Sequence, residues 1–365
     1  MVDQELSGLF PGLPEDLGLD CLIRVPYENL PAVTAVCRSW KLEIELPEFW
    51  RRRRVSGLST RVVVFAQAQI DPTREPVPSA KHPATPRYGL TVFEPETGRW
   101  TRLPPVPGFS DGLPLFCEIV AVGTDLVLMG GWDPVTWEVS RVVFAYSFVR
   151  AAWRRGADMP GPRMSFFACA SDGRRTAFVA GGHDEEKNAL KSAMAYDVAG
   201  DRWAHLPDMA RERDECKGVF VRGKFHVVGG YATAAQGQFG DDAETFDASA
   251  WRWEAPRGGF LGPATGCPRT CVGRGDGEWY TCGGGDVAKR TGTMTWQPVT
   301  QLPVAVHNVT CVMMWQDDKM LVIGSASHNE PHKAFVLDLK GYTWAAVAVP
   351  ENFSGHVQSG CCLEI

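Results

Sequence analysis

Side chains that could make or break bonds are few in this sequence. His183-Asp184-Glu185 sets three metal-ligand types in a row, but acidic residues on a turn after two glycines are ordinarily solvated. His328 and His332 have the spacing of a metal-binding helix, and Pro331 between them disfavours that helix. Cys267, Cys271 and Cys282 lack the paired spacing of a zinc site, and adjacent Cys361-Cys362 suits a strand better. There is no nucleophile motif, no GxGxxG and no Walker loop. The expectation is therefore no cofactor, no metal and no catalysis. What the sequence does offer is side chains able to grip another protein. Trp132, Asp133, His183, Asp184 and Tyr231 follow glycine pairs; Arg163, Arg213, Asp214, Glu215, His307 and His356 lead into apolar runs. Aromatics and arginines carry most of the energy at protein interfaces. The competing reading for Arg163 and Arg213 is that they brace neighbouring units through loop carbonyls.

These residues need elements to hold them. From Arg61 onward, short β-rich runs such as RVVVFAQ, DLVLMGG, RTAFVAGG, KFHVVGG and KMLVIG end at turn residues. A strand closes on Gly130-Gly131, Gly181-Gly182, Gly229-Gly230 and Gly283-Gly284, with Gly324-Ser325 as a degenerate copy. A second strand of the AYD or TFD type follows, then a tryptophan: Trp100, Trp153, Trp203, Trp251 or Trp253, Trp296 and Trp344. The recurrence is about 50 residues, the period of kelch repeats. Six tryptophans imply six blades of a β-propeller, each a four-stranded sheet packed on two neighbours. The first blade lacks an inner strand, so Cys361 to Ile365 is expected to supply it and close the ring. The third strand of blade five is irregular, and Asp71 to Pro86 reads as an exposed Pro-rich loop.

Residues 9–54 have a different period. Acidic Glu15 and Asp16 after Leu13-Pro14 mark a helix start. Apolar residues then recur at Leu17, Cys21, Leu22 and Val25 until Pro26. A second helix is expected through Ala32, Val33, Val36, Cys37 and Trp40, and a third over Ile44 to Trp50. Three helices this short should pack together and leave an apolar stripe for a partner. The Arg51–Arg54 run reads as a solvated helix end, with a nuclear-import signal as the alternative.

Bulk composition sets limits. The formal net charge of -6 argues against a nucleic-acid or membrane-surface partner. No run approaches the roughly 20 apolar residues of a membrane span, and the first residues lack the basic start and apolar stretch of a signal peptide. The 11 cysteines, scattered and often inside apolar runs, read as reduced thiols. The expected compartment is the cytoplasm, the nucleus or both.

The stretch LPEDLGLDCLIRVPYENLPAVTAVCRSWKLEIELPEF resembles the F-box, a helical motif that docks on the Skp adaptor of cullin ubiquitin ligases. The propeller stretches LMGGWDPVTWEVS, FVAGGHDEEKNAL, YDVAGDRWAHLPDMARERDEC and GHVQSGCCLEI are similar to plant F-box/kelch-repeat proteins, specifically the KISS ME DEADLY type. That resemblance implies a small all-α F-box (9–54) followed by an all-β six-bladed kelch propeller (61–365). It implies a non-catalytic substrate receptor of a Skp–cullin–F-box ligase, with phenylalanine ammonia-lyases and type-B response regulators as targets. Leu13, Pro14, Leu17, Leu22, Val36 and Trp40 are the expected Skp contacts, with Val36 and Trp40 alternatively part of the helical core. The rival readings are a kelch scaffold without ligase activity and a metal-dependent kelch enzyme.

Overall fold

The computed structural model describes residues 8–70, 86–262, 268–290, 292, 295–328 and 330–365. Most of the expected Asp71–Pro86 loop, and Cys267, lie outside the described residues.

The helical region has four α-helices rather than three: α1 Glu15–Ile23, α2 Leu30–Thr34, α3 Arg38–Glu45 and α4 Pro47–Val55. The expected helix through Ala32 to Trp40 is broken because Cys37 is extended (φ -156°), and its sulfur accepts a hydrogen bond from the Trp40 N–H that opens α3. α4 starts on Pro47, a residue whose fixed φ suits the first helical position. The Arg51–Arg54 run is not simply solvated. Arg53 is only 1% exposed and donates to the carbonyls of Ile23 and Val25 (both 2.7 Å) and Leu58 (3.1 Å), clamping α4 to the end of α1.

Six four-stranded antiparallel sheets follow. Their innermost strands are Glu118–Val122, Ala168–Ser171, Lys217–Val221, Val272–Gly273, Asn308–Gln316 and Val357–Glu364. The last of these pairs with Arg61–Ala68, so the C-terminal strand closes blade one as expected, over a longer stretch. Second strands such as Arg61–Ala68 and Asp125–Met129 are buried almost throughout. Each lies between two neighbouring blades, which explains continuous apolar runs where a half-exposed strand would alternate.

Each blade is tied to the one before it by a tryptophan. The indole N–H of Trp100, Trp153, Trp203, Trp253, Trp296 and Trp344 donates to a carbonyl of Ala348, Pro104, Ala157, Pro207, Phe260 and Gln301, at 2.6 to 3.0 Å. Every acceptor lies in the outermost strand of the preceding blade or in the segment that follows it, Phe260 being the furthest along. Trp253, not the half-exposed Trp251, is therefore the repeat tryptophan of blade four.

Both glycines of the pairs at 130–131, 181–182 and 229–230 have positive φ. A Cβ on Gly182 would lie 2.4 Å from the Ser165 carbonyl, so the close approach itself demands glycine. In blade five the left-handed pair is Gly284-Gly285, one residue later than expected, and forms a tight hairpin between Gly283 and Asp286. Its third strand is Asp286–Arg290.

The helices sit on the propeller face opposite the glycine pairs. Thr60 and Ile365 exchange both backbone hydrogen bonds (2.6 and 2.8 Å), and Glu364 accepts from Ser59 and pairs with Arg54. Tyr27 donates to Glu94, Arg99 pairs with both Glu94 and Glu28, and Arg150 pairs with Glu45. The helical region and blades one and two share one hydrophobic core.

Deleting residues 361–365 should open blade one and release the helices together, seen as a single loss of cooperative thermal unfolding and fast proteolysis near residues 56–60. A pH dependence is also expected. His226 and His332 are pulled from 6.5 to about 4 by burial, and the His332 ring nitrogen accepts the Val357 N–H across a blade seam. Folded values below unfolded ones mean that stability is complete above pH 6.5 and is lost as pH falls toward 4. Urea unfolding at pH 5 against pH 7 should show a loss on the order of 2 kcal/mol per histidine, and His226→Gln should flatten part of that slope.

Candidate functional site

On the helices, Leu13, Leu17 and Val36 are 38%, 50% and 61% exposed, and Pro14 beside them is exposed too. Leu22, expected among the contacts, is 1% exposed and belongs to the shared core, because α1 turns that side toward α4. Trp40 is half-buried, its N–H held by the Leu9 carbonyl (2.6 Å) and its ring 4.7 Å from that of Phe10. It shapes the helical unit more than it faces outward. Three exposed apolar residues of the helical region escaped the sequence reading, Leu42 and Leu46 around the end of α3 and Val55 at the end of α4. The i, i+4 spacing of Leu42 and Leu46 was the available signal for that pair.

On the propeller, the residues after the glycine pairs reach the channel mouth, but many turn inward. Trp132, His183 and Tyr231 pair through the backbone with Leu115, Ser165 and Asp214, the residues that lead into the innermost strands. His183 Nδ1 lies 2.8 Å from Asp214 Oδ2 and its Nε2 lies 2.9 Å from Ser165 Oγ. This is the atom order of a hydrolytic triad, which no sequence motif announced. Ser165 has no exposed surface, however, and Phe166 stacks on the imidazole. Sealed in this way, the relay braces blade three against blade four. His183 and Asp214 are thus not available as contact residues, and Tyr231 is nearly buried with its hydroxyl on Glu215 (3.0 Å).

Arg213, 2% exposed, is likewise structural. Its guanidinium holds Asp242 (2.5 and 3.1 Å), Glu244 (3.2 Å) and the Gly229 carbonyl (2.7 Å). Its side chain does not brace neighbouring blades through loop carbonyls: all its partners lie in blade four, which Arg213 itself leads into, and they are mainly carboxylates, since a buried guanidinium needs opposite charge as well as acceptors. Arg163 stays at the surface and spans Glu138 (3.4 Å) and Glu185 (3.8 Å), also not carbonyls. Asp133 and Asp184 cap their own loops, accepting the backbone N–H groups of Val135 and Thr136, and of Asn188. His307 is exposed. His356, 2.8 Å from the Tyr88 hydroxyl, has its pKa lowered by its crowded setting and by Arg269.

The mouth residues missed by the sequence reading are Phe116, Phe166 and Arg269. Phe116, Phe166 and Glu215 occupy the same place before the innermost strands of blades two, three and four, and all three have left-handed backbone (φ 59°, 55° and 50°). Their recurrence at the repeat period was the signal. Phe116 and Phe166 have ring centroids 4.8 Å apart, and Arg269 lies over Phe166 and pairs with Glu215 (3.9 Å).

Among the described residues no group of three or more His, Cys, Asp or Glu is placed to hold a metal. Burial pushes the thiols of Cys216 up to about 11 and of Cys271 and Cys282 to about 12, so they stay protonated at neutral pH. His183→Ala should cost about 2 kcal/mol of stability by orphaning Ser165 and Asp214, measured by urea unfolding. A fluorophosphonate probe should leave Ser165 unlabelled in the folded chain.

The comparisons with known proteins agree with this architecture. The Kelch motif family matches at residues 115–160 and 164–210, which are blades two and three. The F-box/kelch-repeat protein At1g15670 of Arabidopsis thaliana is 48% identical over 358 residues, covering 98% of this chain and 99% of that protein. Arabidopsis At1g80440, also an F-box/kelch-repeat protein, is 47% identical with the same coverage, and SKIP20 is 36% identical over 68% of this chain and 66% of its own length. Helices that expose apolar residues and are fixed behind a six-bladed propeller, together with full-length similarity at this level, place the chain in the plant F-box/kelch-repeat protein family.

Proposed function

We propose that this chain is a non-catalytic substrate receptor of a Skp–cullin–F-box ubiquitin ligase. The carrying observation is the exposed apolar group Leu13, Leu17, Val36, Leu42 and Leu46 on helices bolted to the propeller. Exposed aliphatics grouped on one small unit call for a partner, and the Skp adaptor is the partner that an F-box takes. The propeller mouth, on the other face, holds the target. A receptor accelerates ubiquitin transfer by raising the effective concentration of target lysines near the conjugating enzyme. That role needs a stiff connection, and the Thr60–Ile365 pairing with the Arg53 clamp provides one.

The finer reading follows the KISS ME DEADLY resemblance. Phenylalanine ammonia-lyases and type-B response regulators are then the targets, so that the protein restrains phenylpropanoid synthesis and cytokinin signalling in the cytoplasm or nucleus. Docking contacts are Leu13, Pro14, Leu17 and Val36, extended by Leu42 and Leu46.

Binding of purified plant Skp adaptor should fall at least tenfold in a Leu17→Ala, Val36→Ala double variant with an unchanged melting temperature. Each exposed aliphatic buried on docking is worth about 1–2 kcal/mol. Leu22→Ala should instead lower the melting temperature, as a core truncation worth about 2–5 kcal/mol. Failure of the intact, folded chain to bind Skp would leave a kelch scaffold without ligase activity.

A further inference from the structure

We propose that target capture is confined to one side of the channel mouth, the crescent of blades two to four, and that this crescent takes a cationic segment bearing an aromatic or aliphatic side chain. The inference rests on the receptor reading above and names the partner chemistry of its target face.

The mouth is not six-fold uniform. Blades two, three and four lead into their innermost strands through Phe116, Phe166 and Glu215 in left-handed backbone. Such a conformation costs a non-glycine residue about 1–2 kcal/mol. Blades five, six and one lead in through short 3-10 turns at Pro268–Thr270, Val304–Val306 and Glu351–Phe353 instead. Glycine would remove the strain in the crescent, so side chains are being kept there at a cost. In blade two the Gln358 side chain of blade one accepts the Phe116 N–H (3.0 Å) and holds the turn. The result is a phenylalanine 39% exposed at the mouth, against the half-buried Phe166.

Charge selects the occupant. The loops after the glycine pairs of these three blades, residues 132–140, 183–189 and 231–241, carry formal net charges of -2, -2 and -1, and Asp242, next in the chain, is buried against Arg213. Part of that charge is spent within the chain, Glu138 and Glu185 on Arg163, and Arg269 is paired with Glu215; Asp133, Asp184, Glu186 and Asp241 stand outside the ion pairs of the described residues. An incoming lysine or arginine thus meets an acidic rim that steers it. Its apolar neighbour meets the phenylalanine pair, where a cation can also lie over a ring face.

The test uses the full chain with Skp adaptor added, and three fluorescein-labelled peptides read by anisotropy. One is rich in lysine and arginine around a central tryptophan, one has that tryptophan replaced by alanine, and one has every base replaced by glutamate. The first should bind at least tenfold more tightly than either other, and weaken with salt. Phe116→Ala with Phe166→Ala, and separately the exposed pair Glu185→Lys with Glu186→Lys, should each weaken it at least fivefold. Arg202→Ala on the far face should not. Equal binding of the glutamate peptide, no binding of any peptide, or indifference to both pairs of substitutions overturns the proposal. Skp binding, measured in the same samples, reports on the receptor reading by itself, since it uses the helices on the opposite face.

Discussion

A twisted four-stranded sheet has two apolar faces and two open edges, and cannot stand in water alone. The contact that resolves this here is the tryptophan of each blade, whose ring is laid against its neighbours while its N–H meets a carbonyl of the blade before it. A single hydrogen bond of this kind is worth only about 1 kcal/mol net. Its value lies in direction, because it sets the angle between consecutive sheets while ring burial supplies the energy. Repeated around the ring, the sixth link from Trp100 to Ala348 closes on the first blade. Every other feature, from the channel mouth to the seat of the helices, inherits its position from that ring.

Closure divides the work between two faces. The helices occupy the face where third strands turn into fourth strands, held by Glu94, Arg99 and Arg150. The opposite face carries the loops that follow the glycine pairs. Distance between the surfaces, together with stiffness, would let one bind a ligase core while the other binds a target without interference, as the proposed receptor role requires. Buried polar braces keep the mouth in shape: Arg213 with its two carboxylates, and the Ser165–His183–Asp214 relay between blades three and four. Such networks cost desolvation and return geometry when every member is satisfied.

The blade count, the closing strand and the tryptophan spacing were legible in the sequence because the repeat imposes them at fixed intervals. The break at Cys37 was not, since Val33, Val36 and Trp40 keep helical spacing across it and only the backbone reveals the turn. Burial of Leu22, Arg53 and Arg213 was also hidden, because local pattern does not say which side of an element meets a distant one. The channel mouth was read by loop position, which could not tell a side chain turned into the blade, as Tyr231 is, from one turned to solvent. Phe116 and Phe166 were overlooked because phenylalanine before a strand reads as core, and left-handed backbone leaves no compositional mark.

The seam between residues near 60 and the C-terminal strand has a bearing on assembly order. Ser59 and Glu364 touch across a separation of 305 positions. Such a closure is entropically slow, and it comes after the local blades have formed. The helices leave the ribosome first, yet their anchorage at Thr60 and Arg54 exists only once that seam is zipped. A chain with an unfinished ring therefore holds its helical unit only through the contacts to blades one and two, and completion of the propeller adds the last of its anchors.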